Sequence, residues 1–211
     1  MAVRYKTISK EAESLLVVEK SKFIGQIKPV ETLEEAEAFI ASIRVKHRDA
    51  THNVPVYLLG EKFETQKYSD DGEPSGTAGV PVLHMLMNEG VTNAAIVITR
   101  YFGGIKLGTG GLVRAYTGVA KQAVEEAGVV QMKDMQQLKV RIGYHYHGKI
   151  ENMASKGMFF IQDTVFDDAV TVSFIIDPMH SEEMKKSFME VTSGTCLFLE
   201  EKTILEKVSF V

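Results

Sequence analysis

The chain has 211 residues, of which 45% are hydrophobic, and it carries a net charge of −4 at pH 7. This length accommodates one large domain or two small ones, each with its own core. The single cysteine, Cys196, excludes an intramolecular disulfide. No apolar run reaches the length of a membrane-spanning helix, and the first residues are too highly charged for a signal peptide. These features predict a globular protein of the cytoplasm.

Charge is unevenly divided along the chain. Residues 1–133 contain 16 Lys and Arg and 16 Asp and Glu, whereas residues 134–211 contain 8 and 12. The first part is neutral overall but can still concentrate its cations on one face. The change in charge coincides with a restart of the strand and helix pattern. We therefore predict one domain over residues 1–133 and a second over residues 134–211.

A β-hairpin followed by a helix is predicted for the beginning of the chain. The β-branched and apolar residues of RYKTI and ESLLVVEKSKFIGQIKPV are typical of strands, with a hairpin turn near Lys20–Ser21. The helix should begin at a capping box, T-x-x-E, formed by Thr32 and Glu35. One face of this helix is predicted to carry Leu33, Ala36, Phe39, Ile40 and Ile43.

Strands and helices alternate in the rest of the first half. HNVPVYLLG is predicted to be a strand at a sheet edge, or one with an irregular start, because Pro55 cannot donate a hydrogen bond. After a loop comes a short helix with Pro81 in its first turn, and then TNAAIVITRYF, whose apolar run is typical of a central strand. A last helix should begin near Gly111 or Leu112 and end at Gly128. Its core side should carry Leu112, Tyr116, Val119, Ala123 and Val124.

The second half begins a new series of strands and helices. QLKVRIGYH is predicted to be a strand, GKIENMASKG a helix, and MFFIQDTVF with AVTVSFIID a hairpin that turns at Asp167–Asp168. A helix beginning near Pro178 and the strand TCLFLEEKTIL complete it. The order β-α-β-β-α-β is typical of a ferredoxin-like plait. The predicted fold class is therefore α+β, in two domains.

The segment YFGGIKLGTGG, residues 101–111, is unusually rich in glycine. It lacks the Gly-Lys-Ser/Thr of a P-loop, and Val113 stands where a dinucleotide fingerprint needs its third glycine. It still joins a strand to a helix, whose free N–H groups attract anions, and aromatic side chains there could stack on bases. The alternative is a tight turn whose glycines only permit positive φ. The predicted RNA- or anion-binding residues are Arg100, Tyr101, Phe102, Gly103, Gly104, Lys106, Gly108, Gly110, Gly111 and Arg114.

The loop YSDDGEPSGTAG carries the carboxylates Asp70, Asp71 and Glu73. They could bind a metal or act as a general base, but the D-x-[DN]-x-[DN]-G spacing of a calcium loop is absent. A rigid turn, in which Asp side chains accept nearby N–H groups, is the favoured interpretation, and charge pairing with the glycine segment is a further alternative. The predicted supporting residues are His52, Asn53, Asp70, Asp71, Glu73, Ser75 and Thr77.

Other catalytic and metal-binding patterns are weak. His47, Asp49 and His52 have the spacing H-x-D-x-x-H, but they lie between a helix and a strand and lack the fuller ligand set of zinc. Ser75 is not part of a G-x-S-x-G elbow, and Cys196 is predicted to be a buried strand residue. No catalytic residue, metal or cofactor is predicted.

Three segments, THN, SDDGEPSGTAG and TRYFGGIKLGTGGLVRAY, together resemble the signature of the IMPACT family, in its bacterial YigZ-like branch. The resemblance covers most of residues 15–128. It implies a first domain folded like domain IV of elongation factor G, followed by a ferredoxin-like domain. It also implies a connection with translation, because the eukaryotic relatives are translational regulators that compete for the activator of a starvation-responsive kinase. They do so with an additional N-terminal domain that has no counterpart in this sequence.

One position departs from the pattern of the bacterial relatives, which often have cysteine after the His-Asn pair, whereas this chain has Val54. A thiol mechanism at this position is therefore not expected. The leading hypothesis is a cytoplasmic RNA- or ribosome-associated regulator of translation. The alternatives are a protein-binding regulatory module without RNA contact and a metal-dependent hydrolase. No membrane partner and no sequence-specific DNA binding are expected.

Overall fold

The computed structural model describes residues 3–209. They form a two-domain α+β fold with two β-sheets and five α-helices within the described range. The main segments of the two compact units are Arg4–Met132 and Lys133–Glu206. No helix of the described part is long and apolar enough to cross a membrane.

The first unit is built on a sheet with the strand order β2-β3-β6-β4-β5, in which all neighbouring strands are antiparallel. A separate short strand, β1, pairs with the first residues of β7 (Val129–Ile142). The elements up to that point are β1 (Tyr5–Ile8), β2 (Ala12–Val18), β3 (Ser21–Pro29), α1 (Leu33–Lys46), β4 (His52–Leu59), β5 (Thr65–Tyr68), α2 (Gly79–Glu89), β6 (Ala94–Tyr101) and α3 (Gly108–Ala127).

Helices cover this sheet on both faces. Alternate residues of β4 and β6 pack against α2 and α3 on one face and against α1 on the other. Every residue of β6 from Ala94 to Arg100 is therefore buried, and the prediction of a central strand is confirmed. The predicted core residues of α3, from Leu112 to Val124, are also buried.

Local sequence signals set the ends of several elements. The hairpin turns at Glu19 and Lys20, both with positive φ, close to the predicted position. The hydroxyl of Thr32 accepts the N–H of Glu35, which confirms the cap of α1, while the carboxylate of Glu35 accepts the N–H of Glu31. Of the residues predicted to share one face of α1, Leu33 is 41% exposed, whereas Ala36, Phe39, Ile40 and Ile43 are buried. Helical periodicity gives the direction of a side chain, but it does not show how far the covering sheet extends.

Two further predictions of local structure need correction. β4 is not an edge strand, because it lies between β6 and β5. The Pro55 carbonyl accepts the N–H of Ser69, which lies just beyond the end of β5. The carbonyl and the nitrogen of a strand residue point to the same side, so the Pro55 nitrogen faces the side on which β5 has ended. Pro55 is tolerated there because no paired strand needs its missing N–H. The helix α3 begins at Gly108, about one turn before the predicted start.

The second unit has the sheet order β10-β7-β9-β8, and its elements follow one another as in a ferredoxin-like plait. This confirms the predicted architecture. Its core contains the rings of Phe159, Phe174 and Phe188. The predicted first strand ends earlier than expected, because residues 144–146 form a 3₁₀-helix. The elements after β7 are α4 (His147–Ser155), β8 (Phe160–Phe166), β9 (Val170–Ile176), α5 (Pro178–Val191) and β10 (Leu197–Ser209).

Candidate nucleic-acid interface

A buried cluster of charged and polar side chains lies where the acidic loop (residues 69–78) meets the end of β6 and the helix α3. One oxygen of Glu73, Oε1, accepts Nη1 of Arg100 at 2.6 Å and the hydroxyl of Tyr116 at 2.7 Å. Nε2 of His52 lies 3.7 Å from the same oxygen. We call Glu73, Arg100, Tyr116 and His52 the Glu73 cluster. It links four separate segments of the first unit, namely β4, the acidic loop, β6 and α3.

The register of the sheet brings this cluster together. His52 is paired directly with Arg100 across β4 and β6, and Tyr116 is a core residue of α3. The guanidinium carbon of Arg100 lies 5.3 Å from the ring centre of Phe23 and 5.4 Å from that of Phe102. Burial raises the pKa of the Tyr116 phenol above its usual range, and the hydrogen bond to Glu73 adds to the effect. Tyr116 is therefore a neutral donor to a carboxylate.

The two aspartates of the acidic loop stabilise its backbone. The carboxylate of Asp70 accepts the N–H groups of Gly76, Ala78 and Gly79 at 2.8, 3.1 and 2.8 Å. That of Asp71 accepts the N–H of Asn53 at 2.7 Å. These contacts support the rigid-turn interpretation. Among residues 3–209, no group of three or more His, Cys, Asp or Glu side chains could hold a metal ion.

Most of the remaining supporting residues also make hydrogen bonds within the first unit. Nδ1 of His52 lies 2.7 Å from the carbonyl oxygen of Asp71, which can only accept, so Nδ1 carries the proton. The buried amide of Asn53 accepts the hydroxyl of Thr99 and donates to the carbonyl of His47. The hydroxyl of Thr77 donates to the carbonyl of Pro74, whereas Ser75 is exposed.

The predicted phosphate contact by Arg100 needs correction. Arg100 is only 5% exposed, and its charge is paired with Glu73 rather than presented to solvent. Its partner is thus one of the three carboxylates of the acidic loop. Tyr101 also makes an internal contact, because its hydroxyl lies 2.9 Å from Nδ1 of His47. Phe102 shares the side of Arg100 and is 47% exposed.

The glycines of residues 101–111 have different roles. Gly103 allows a close approach, because a Cβ there would lie 2.1 Å from the backbone carbon of Lys20. Gly104 and Gly108 have φ of +85° and +68°. At Gly111 a Cβ would lie 3.1 Å from Cβ of Leu107. Gly110 has neither constraint, since a Cβ would make only an ordinary contact of 3.5 Å with Nη1 of Arg114. The fold therefore does not require glycine at position 110.

Two concave surfaces flank the start of α3. One, of about 370 Å³, is lined by residues that include Glu73, Phe102 and Thr109, and the other, of about 580 Å³, includes Arg114. Lys106 contributes to both, and Lys106 and Arg114 are exposed. Within the described range no side chain caps the start of α3, and its first turn carries no acidic residue. Cations, free N–H groups and the open ring of Phe102 thus lie around one helix start.

The sequence-based site omitted Tyr116 and Thr109. Tyr116 was predicted only as a core residue, although a buried phenol usually needs a hydrogen-bond partner. The sequence could therefore have indicated that Tyr116 needs a hydrogen-bond partner, but it could not have identified Glu73 as that partner. Thr109 lies inside the glycine segment, and it lines the 370 Å³ cavity because α3 begins one residue before it.

Residues 19–124 match the family model of the Impact N-terminal domain. Over 204 residues the chain is 39% identical to the IMPACT family member YvyE of Bacillus subtilis, covering 96% of this chain and 94% of that protein. This chain belongs to the IMPACT family. It is also 40% identical to the IMPACT family member YigZ of Escherichia coli, over 64% of this chain and 67% of the relative. Protein IMPACT of Rattus norvegicus is 33% identical over 42% of this chain and 29% of that protein.

The fold comparison extends over both units of this IMPACT family member. A solved structure described as the crystal structure of an hypothetical protein superimposes with a TM-score of 0.58 and 29% sequence identity. The match covers 92% of this chain and 96% of that chain. The two-domain α+β organisation is therefore shared with an experimentally solved structure.

Proposed function

We propose that this protein regulates translation by binding RNA, free or in the ribosome, at the start of α3. The contact surface consists of Phe102, Lys106, Gly110 and Arg114, together with the first N–H groups of the helix. The family supports a regulatory role, since the resemblance found in the sequence is to translational regulators. The role in RNA binding rests on the site itself.

The observation that carries this proposal is the combination of exposed cations with a bare helix start. Lys106 and Arg114 are both exposed and border adjoining concave surfaces, so successive phosphates can follow them. Gly110 leaves the backbone open between them although its conformation would accept a side chain. The exposed ring of Phe102 offers a face on which a base can stack.

A second candidate function is a protein-binding module that uses the same surface. Phe102 is 47% and Ile105 is 40% exposed, so the glycine segment presents two apolar side chains to solvent. Salt dependence separates the two functions, because phosphate contacts give a steep loss of affinity with added salt. A metal-dependent hydrolase is not proposed, since the carboxylates of Asp70 and Asp71 are engaged in hydrogen bonds of the loop.

The test is a titration of labelled single-stranded RNA at several salt concentrations. Lys106→Ala and Arg114→Ala should each lower the salt slope of binding by roughly one unit. Phe102→Ala should cost about 1–3 kcal/mol of affinity with little change in slope. Lys62→Ala is the matched control, since this exposed lysine lies beyond β4, in a turn that contacts the residues before β6. If the folded Lys106 and Phe102 variants bind RNA as the unmodified protein does, the proposal is wrong.

A further inference from the structure

The 370 Å³ cavity between the acidic loop and the start of α3 has a built polar floor and apolar walls. Its floor includes Glu73 and Arg100, and its apolar walls include Pro74, Phe102 and Leu112. We propose that this cavity holds a single guanine nucleotide of the bound RNA, with the edge of the base on Glu73 and its phosphate at the start of α3. This inference rests on the proposed RNA-binding function and names the base that the same site would select.

The two oxygens of the Glu73 carboxylate are used unequally. Oε1 accepts both Arg100 and Tyr116, whereas Oε2 accepts no hydrogen bond from any residue in the range 3–209. The Glu73 side chain lines the cavity and is only 3% exposed, so its oxygens have little contact with solvent. Such an oxygen favours a ligand that supplies a donor, because a buried acceptor without a partner is costly. Glu73 forms an ion pair with Arg100, and an ionised carboxylate can only accept hydrogen bonds.

The carboxylate oxygen Oε2 in the floor distinguishes among the bases. The Watson–Crick edge of guanine places two donors, N1–H and the N2 amino group, next to each other. Adenine and cytosine each place one amino donor beside a ring nitrogen that accepts, and uracil places one N–H between two carbonyl oxygens. A carboxylate facing this edge is therefore matched by guanine and opposed by an acceptor in each of the others. Reading of a splayed-out base by this edge is the usual means of sequence recognition in single-stranded RNA.

The rest of the cavity fits the remaining parts of a nucleotide. Phe102 supplies an exposed ring against which the base can lie. At the rim, Lys106 and the hydroxyl-bearing Thr109 lie beside the first N–H groups of α3, where a phosphate is favoured. The volume is near the lower end of the roughly 300–1,000 Å³ typical of small-ligand sites, which suits one nucleotide.

The test compares short oligouridylates that carry one central guanosine or one central adenosine, with the full chain as the protein. We expect the guanosine oligonucleotide to bind about tenfold more tightly, because adenosine would place an acceptor against Oε2 and leave that oxygen without a donor. Glu73→Gln should remove most of this difference, because the amide presents one donor in place of an acceptor. Lys106→Ala should weaken both oligonucleotides equally, and Lys62→Ala should change neither.

Separate outcomes identify which idea fails. Equal affinity for the guanosine and adenosine oligonucleotides, with binding still lowered in Lys106→Ala, would overturn the guanine site and leave the RNA-binding proposal intact. Absence of binding to either oligonucleotide overturns both. If Glu73→Gln does not fold, titration of the unmodified protein with 5′-GMP, 5′-AMP and inorganic phosphate decides the matter. Tighter binding of GMP than of AMP supports the site, and equal binding of all three contradicts it.

Discussion

The two units of this protein bury their sheets in different ways. In the first unit β6 is buried from Ala94 to Arg100, because helices cover both faces of the sheet. In the second unit the buried residues of β9 alternate with partly exposed ones. The first unit also encloses an ion pair whose side chains are 6% and 3% exposed, whereas Arg141 and Asp168 of the second unit form a pair that is 37% and 78% exposed.

This difference shows what a sheet covered on both faces can hold. Burying Glu73 and Arg100 has a desolvation cost that is offset only by close pairing and by the additional hydrogen bond from Tyr116. The same contacts fix the acidic loop against α3 and shape the cavity beside it. The phenylalanine core of the second unit provides stability without such a polar arrangement. The proposed RNA-binding site lies beside this polar arrangement in the first unit.

The largest expected effect comes from expressing the first unit without the second, which tests whether the two units fold independently. We propose that residues 1–133 fold independently and unfold in one cooperative urea transition, with an m-value reduced roughly in proportion to chain length. Circular dichroism against urea concentration measures both quantities. The fragment retains the pairing of β1 with Val129–Met132. A broad, non-cooperative transition of the fragment would show that the units depend on each other.

Removal of one charge from each unit should have very different consequences. Arg100→Ala should lower the free energy of unfolding by about 3–5 kcal/mol, because it leaves the Glu73 carboxylate buried without its cation. Arg141→Ala, the matched control on an exposed pair, should cost at most about 1 kcal/mol. Urea denaturation measures both variants. Similar losses in the two variants would contradict the contrast between the units.

Two helical glycines allow a finer comparison. Gly110 in α3 and Gly148 in α4 both have room for a methyl group without a close contact. Alanine at either position should raise the free energy of unfolding by at most about 1 kcal/mol, because it lowers the entropy of the unfolded chain. Only Gly110→Ala should weaken RNA binding, since a methyl group there would stand between the phosphate and the helix start. An unchanged RNA affinity of Gly110→Ala would leave that glycine without a role in binding.

The smallest expected effect concerns pH. Burial, together with the nearby charge of Lys46, lowers the pKa of His47, which contacts the hydroxyl of Tyr101. The unfolded chain then binds more protons than the folded one just below the ordinary histidine pKa of about 6.5, so stability should fall as the pH drops through that value. His47→Gln should reduce this decline, measured by thermal unfolding from pH 7 to pH 5. His180→Gln, which removes an exposed histidine of α5, should keep it.

The sequence by itself determined the elements of this protein and most of their order. Hydrophobic periodicity located the helices, the capping box of Thr32 and Glu35 set the start of α1, and the apolar run before Arg100 identified the central strand. These features depend on residues that are close together in the chain, so they can be predicted from the sequence alone. The long glycine and acidic segments were also sufficient to identify the family, because their residues are unusual in combination.

Only the tertiary structure decided which polar residues meet. Arg100 was predicted to face RNA, but the pairing of β4 with β6 and the packing of α3 bring it to Glu73 and Tyr116, which are far away in the chain. The same packing divides the glycines into those that the backbone requires and Gly110, which it does not. Such contacts depend on the register between distant strands and on the side of the sheet that a helix covers. Neither quantity is encoded within a short window of sequence.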